Sequence, residues 1–165
     1  MSINRYGIGC ACEPRGMASG ATQERTGVDT ADPPVPTVLI VEDDPVARRF
    51  YADALAASGY RVEQAANGSD ALRSASAGIS AVVADLGLPD FDGFEVCRQV
   101  KSQPRSRHVP VIALTGRAMA LRDIELAEEV GFSAVLIKPC PPETLVAAIA
   151  KVLNGQSSGL ATSRR

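Results

Sequence analysis

The sequence predicts an α/β fold in which a doubly wound, five-stranded parallel sheet carries helices on both faces. Five short apolar runs alternate with five segments of helical periodicity across residues 37–153. Parallel strands need crossover connections, and this alternation supplies them. Four of the apolar runs end at acids, a hydroxyl or a lysine, where sites form beyond the C-terminal ends of strands in such sheets. The flanking segments show no comparable pattern.

The elements follow in order. Thr37–Val41 is an unbroken run of β-branched residues and Leu, and reads as the first strand. Val46, Phe50 and Ala54, with Ala47, Tyr51 and Leu55, recur at four-residue spacing and predict a helix ending near Gly59. Tyr60–Ala65 alternates weakly and reads as a second strand. Asn67-Gly68 punctuates the chain before a short Ala-rich helix at Ser69–Ala77. Ala81–Ala84 is a third strand running into Asp85, and Phe94–Ser102 is helical. His108–Leu114 supplies the fourth strand, Arg117–Val130 a charged amphipathic helix, and Ala134–Ile137 the fifth strand. The last helix spans about Pro142 to Leu153, with Leu145, Ile149 and Val152 on one face.

Composition bounds the rest. The 165 residues are 45% hydrophobic and only 4% aromatic, so a core must come mainly from Val, Ile, Leu and Ala. A net charge of -2 argues against nonspecific nucleic-acid binding, which needs a basic footprint. No run reaches the roughly 18 apolar residues of a membrane span, and no secretory signal opens the chain. A cytoplasmic protein is expected. Cys10, Cys12, Cys97 and Cys140 match no familiar zinc spacing and read as free thiols. Residues 1–36, rich in small residues and Pro, read as a disordered extension within which Met17 is a second candidate start. Residues 154–165 read as a disordered tail.

The chemistry lies at the strand ends. The first strand runs into Glu42-Asp43-Asp44, the third into Asp85, the fourth into Thr115 and the fifth into Lys138-Pro139. Gathering like charges is costly unless a cation offsets them, and a divalent ion plus Lys138 would do so. Hard oxygen ligands and retained waters suit Mg²⁺. With metal and Lys neutralising the phosphoryl oxygens, an aspartate can accept a phosphoryl group. Each residue also has a plainer reading. Glu42, Asp43 and Asp44 could form an acidic turn capping the first helix, with Asp44 the best cap. Asp90 and Asp92 read as caps of the third helix. Thr115 could be an N-cap, Lys138 a surface lysine, and His108 reads as structural or solvated.

Val38-Leu39-Ile40-Val41-Glu42-Asp43-Asp44-Pro45 resembles the opening of response-regulator receiver domains. Asp85-Leu86-Gly87-Leu88-Pro89-Asp90-Phe91-Asp92-Gly93 resembles their phosphoacceptor loop, and Thr115-Gly116 and Lys138-Pro139 fill the two remaining signature positions. The resemblance covers residues 37–153 and implies a flavodoxin-like sheet of order 2-1-3-4-5. It implies that Asp85 accepts the phosphoryl group and that Asp43 and Asp85 ligate Mg²⁺. Glu42 would hold the ion through water, and the Gly87 carbonyl would be a third protein ligand. Thr115 would hydrogen-bond a phosphoryl oxygen and Lys138 would pair with it. The Lys138-Pro139 bond is often cis in the family.

The function so implied is a phosphorylation-dependent switch of a two-component system, not an enzyme. Phosphate would come from a sensor histidine kinase or a histidine phosphotransfer protein. Too little chain follows Leu153 for an output domain, so a stand-alone receiver is expected, signalling through a surface at about residues 117–153. Arg117, Arg122 and Asp123 are candidate contacts there, and Arg117 could also govern the access of hydrolytic water. The alternative is a binding module that keeps the fold but does not depend on phosphorylation. An aspartate-dependent phosphatase is disfavoured because Leu86-Gly87 follows Asp85, without a second Asp two positions on. Val135 departs from the family, which usually has an aromatic residue three before the lysine, so a switch here would use smaller packing changes, with Phe132 a candidate to take part.

Overall fold

The computed structural model describes residues 34–75, 78–116 and 121–155, with the side chains of residues 121–123 excepted. Expectations for residues 1–33 and 156–165, for Arg117, and for the side chains of Arg122 and Asp123 lie outside the described residues. The elements are β1 (Thr37–Val41), α1 (Pro45–Ala57), β2 (Arg61–Ala65), α2 (Gly68–Ser74), β3 (Ala81–Asp85), α3 (Gly93–Ser102), β4 (Val111–Thr115), α4 (Leu121–Val130), β5 (Ala134–Ile137) and α5 (Pro142–Leu153). All strand pairs are parallel, in the order β2-β1-β3-β4-β5. The predicted alternation, sheet order and number of elements are all present.

The strands separate two cores. Leu39, Val41, Val82, Ala84, Val111 and Ala113 face Ala71, Val96, Cys97, Val100 and Ala127 from the α2, α3 and α4 side. Val38, Ile40, Val83, Ile112 and Leu114 face Tyr51 and Leu55 of α1 and Leu145 and Ile149 of α5. Such double burial is why β1 and β4 read as continuous apolar runs rather than alternating ones. Each fully buried Leu or Ile contributes about 1.5–3 kcal/mol of transfer free energy. Edge strand β2 instead exposes Arg61, Glu63 and Gln64, polar groups that discourage strand addition.

Helix ends follow local chemistry. Asp44 accepts from the Val46 and Ala47 amides at 2.7 and 2.9 Å, and Pro45 opens α1. Asp44 is therefore the cap expected of it. Beyond Ala57 the chain turns through Ser58 and Gly59, whose φ of +90° favours glycine. Asn67 caps α2 through the Asp70 amide at 2.8 Å.

The start of β4 differs from expectation. His108 is not in the strand but exposed in the preceding turn, and β4 begins at Val111. Pro110 has no amide to give to the ladder, although its carbonyl accepts from Val82 at 2.9 Å. The buried Ser106 closes this turn by donating its hydroxyl to the Val100 carbonyl at 2.7 Å.

Candidate functional site

Four strand ends converge on one rim of the sheet. The Glu42 amide donates to the Ala65 carbonyl at 3.1 Å, extending β1 by one residue and turning its side chain inward, where Glu42 is only 2% exposed. Asp85 ends β3 and Thr115 ends β4, the latter buried. The Lys138 amide donates to the Thr115 carbonyl at 2.7 Å, which places the lysine beside the end of β4. The Lys138-Pro139 peptide is cis.

Lys138 joins two of these ends. Its Nζ donates to Glu42 Oε2 at 2.5 Å and to Asp85 Oδ2 at 2.8 Å. The other Asp85 oxygen accepts from the Gly87 amide at 3.0 Å. Carboxylate oxygens of Glu42, Asp43 and Asp85 all lie within 4.8 Å of one another. Three acids and one ammonium leave the cluster net negative. Burial pushes the Glu42 carboxyl above its usual range against the pull of Lys138, and the neighbouring Asp85 and Asp43 push the same way. Burial alone would lower the Lys138 ammonium, but hydrogen bonds to Asp85 and Glu42 hold it above its usual value. Uncompensated negative charge and converging hard oxygens fit a divalent cation of the Mg²⁺ type.

Of the residues singled out in the sequence, Glu42, Asp43, Asp85 and Lys138 are brought into one cluster. Gly87 is attached to it through its amide, and Thr115 stands in register with Ile137, next to Lys138. Val135 is buried in the α3/α4-side core with Phe132. Phe132 packs edge-to-face on Phe94, with ring centroids 5.5 Å apart. Cys97 and Cys140 are free and buried. Burial pushes the Cys97 thiol up to about 12, which leaves it unreactive at neutral pH.

The family profile described as the response regulator receiver domain matches residues 38–150. The chain belongs to the response regulator receiver domain family. Among curated relatives, this receiver is 36% identical over 104 residues to the polar-differentiation response regulator DivK of Brucella anthropi, covering 62% of this chain and 84% of that one. It is 35% identical over 120 residues to the transcriptional regulatory protein AfsQ1 of Streptomyces coelicolor, covering 72% of this chain but only 52% of that protein. It spans only 23% of a matching probable cyclic di-GMP phosphodiesterase of Vibrio cholerae. The solved chemotaxis response regulator CheY4 of Vibrio cholerae superposes with a TM-score of 0.67 at 30% identity, covering 72% of this chain and 98% of that one. The receiver domain of the sensor histidine kinase PA1611 from Pseudomonas aeruginosa gives 0.66 at 33% identity, covering 73% and 98%; its structure has a magnesium ion coordinated in the active-site cleft. Receiver domains are signalling modules of two-component systems, and they work with histidine kinases and phosphotransfer proteins.

Two contributors to the receiver site were not evident from sequence. Arg48, one turn into α1, donates to the Glu42 carbonyl at 2.6 Å and the Asp43 carbonyl at 3.2 Å, clamping the acidic turn. Its position one turn after the acids was the available signal. Asp90 corrects the second expectation. Asp92 does cap α3, accepting from the Phe94 amide at 3.0 Å, but Asp90 bonds to α2 instead. Its carboxylate accepts from the Gly68 amide at 2.8 Å, the Ser69 amide at 2.9 Å and the Ser69 hydroxyl at 2.8 Å. Asp92 directly precedes α3, while Asp90 sits on the tip of the loop facing α2.

Asp90 is exposed, and although some loss of hydration acts to raise its carboxyl, bonds from Ser69, Gly68 and Phe91 outweigh this and hold the group well below 3.8, its ordinary value. A group depressed in the folded state adds stability that is complete above its unfolded value and lost as pH falls through the folded one. The stability gap between the wild-type chain and Asp90→Asn is therefore expected to stay constant from neutral pH to about 5 and to narrow below 3.8. Urea melts from pH 7 to 3 check this. A gap that holds or widens at pH 3 would show that the charge is not its source.

Proposed function

We propose that this receiver is a phosphorylation-dependent switch that takes a phosphoryl group on Asp85 from a histidine kinase or histidine phosphotransfer protein, with Mg²⁺. The observation that carries the reading is the convergence of Glu42, Asp43 and Asp85 on one rim, with Lys138 bonded to two of them. An Asp85 oxygen attacks phosphorus, the donor's phosphorus–nitrogen bond breaks, and the imidazole leaves with the bonding pair and takes up a proton. Glu42, Asp43, Asp85 and the Gly87 carbonyl are the groups that would hold Mg²⁺, Glu42 through water. Bound there, the ion offsets charge on the phosphoryl oxygens. Lys138 pairs with one of those oxygens and Thr115 donates its hydroxyl to another.

The signal leaves by protein contact on the surface built from α4, β5 and α5, at about residues 117–153. Leu126 and Ile137 are large apolar side chains left 36% and 45% exposed there, as Val46 and Phe50 are on α1. A cytoplasmic location accords with a two-component partner, and no described helix is long and apolar enough to cross a membrane. The second reading, a module that binds without phosphorylation, draws on Val135, which offers no aromatic ring to reorient as Thr115 engages phosphate.

Intact-mass spectrometry after incubation with acetyl phosphate and Mg²⁺ separates the two. The expected result is a phosphate-sized gain that is lost in Asp85→Asn and lost without metal. A chain that gains no mass under any condition would sink the switch and favour the binding module.

A further inference from the structure

The phosphoacceptor loop, Leu86–Asp92, is held at both ends and at its tip. At its base the Leu86 amide donates to the Leu114 carbonyl at 3.3 Å, and the Gly93 amide to the Leu86 carbonyl at 3.4 Å. At the tip, 22 positions away in sequence from its partner Gly68, the Asp90 carboxylate takes three hydrogen bonds from the first two residues of α2 and a fourth from the Phe91 amide at 2.9 Å. The Phe91 ring then lies over Gly68 so closely that a Cβ there would come within 2.6 Å of its Cδ2. Polar and apolar contacts thus fasten the same tip to the same short stretch.

We propose that Asp90, with Ser69 and Gly68 as its partners, is a positioning residue for the phosphorylation site. Its carboxylate is bonded to α2 and to the Phe91 amide, so it would act on the site only through the loop. Tethering the tip to α2 limits where the stretch Asp85–Gly87 can sit, and so the placement of the Asp85 carboxylate and the Gly87 carbonyl. The consequence for metal affinity rests on the functional reading above; the tether itself does not. Groups that orient ligands in this way typically change metal affinity by about 10- to 100-fold when removed. The same link makes α2 a place from which a contact could alter the site.

Amide hydrogen exchange and Mg²⁺ titration, both followed by NMR on the full chain, test it. In metal-free Asp90→Ala, exchange at Leu86 and Gly93 is expected to quicken severalfold, and Mg²⁺ binding to weaken about tenfold. Asn67→Ala is the control. It removes the α2 cap at the Asp70 amide but leaves the Asp90 contacts, so it should lower stability without quickening exchange at those two amides. Ser69→Ala, which deletes only the hydroxyl bond, should fall between wild type and Asp90→Ala and serves if the latter fails to fold. Unchanged exchange in the Asp90 and Ser69 variants, or equal quickening in Asn67→Ala, would overturn the tether. A wild-type chain with no response to Mg²⁺ would instead sink the functional reading, while the exchange comparison would still decide the tether.

Discussion

Replacing Gly93 by Ala should destabilise the fold by about 2–3 kcal/mol and displace the loop that carries Asp85. A Cβ at this position would stand 2.4 Å from the Asp85 carbonyl oxygen and 2.8 Å from the Leu86 Cα. Both are backbone atoms, so no side chain can swing aside to make room. Either the first turn of α3 or the end of β3 must move, and the end of β3 carries Asp85. Gly116→Ala is the comparison, because a Cβ there meets nothing within 4 Å. Its stability should stay within about 0.5 kcal/mol of wild type, as for most open surface sites. Denaturant melts give the two differences. A Gly93→Ala chain as stable as Gly116→Ala would mean that the close approach to Asp85 is relieved at no cost.

Lys138→Met is the second large effect. It leaves Glu42, 2% exposed, and Asp85, 13% exposed, side by side without their cation. Breaking a fully buried pair by removing one partner costs about 3–5 kcal/mol, but the Lys138 side chain is 21% exposed and solvent screens part of the loss. About 1–3 kcal/mol is expected, together with loss of labelling by acetyl phosphate. Adding Glu42→Gln should recover much of the stability, since it removes the charge left stranded, and a double-mutant cycle measures that coupling. Mg²⁺ should also raise the melting temperature of Lys138→Met more than that of the wild-type chain, because the ion would then replace the lost ammonium as the counter-charge to Glu42 and Asp85. If Lys138→Met were as stable as wild type and Glu42→Gln added nothing, the ion pair would carry no structural weight.

Much of this was legible in the sequence because it is local. Thr37–Val41 could be read as a strand from five apolar or β-branched residues in a row, and Asp44 as a cap from the Pro45 that follows it. The cluster of Glu42, Asp43, Asp85 and Lys138 was legible for another reason: once the strands are ordered in a parallel sheet, their C-terminal ends must share a rim. What stayed hidden depends on distance and angle. Asp90 and Asp92 look alike in sequence, and only the path of the loop sends one to α3 and the other to α2. Arg48 reads as an ordinary helix arginine until the turn before α1 is built and two carbonyls point at it. The start of β4 was misplaced because Val109 is apolar and buried, yet it belongs to the turn; Pro110 marks the boundary through an amide it lacks.

The two-sided burial of β1, β3 and β4 has one more effect. In a sheet with one wet face, sliding a strand by a single residue sends its apolar side chains into water, and that penalty keeps the strands aligned. Here both faces are dry, and a slipped strand would still present Val, Leu or Ile to either side. The polar groups at the strand ends break this degeneracy. Pulling β3 inward by one place would drag the carboxylate of Asp85 between two hydrocarbon layers, and the same holds for Glu42 after β1. The acids at the strand ends therefore also act as end stops that tell the chain where each strand must finish.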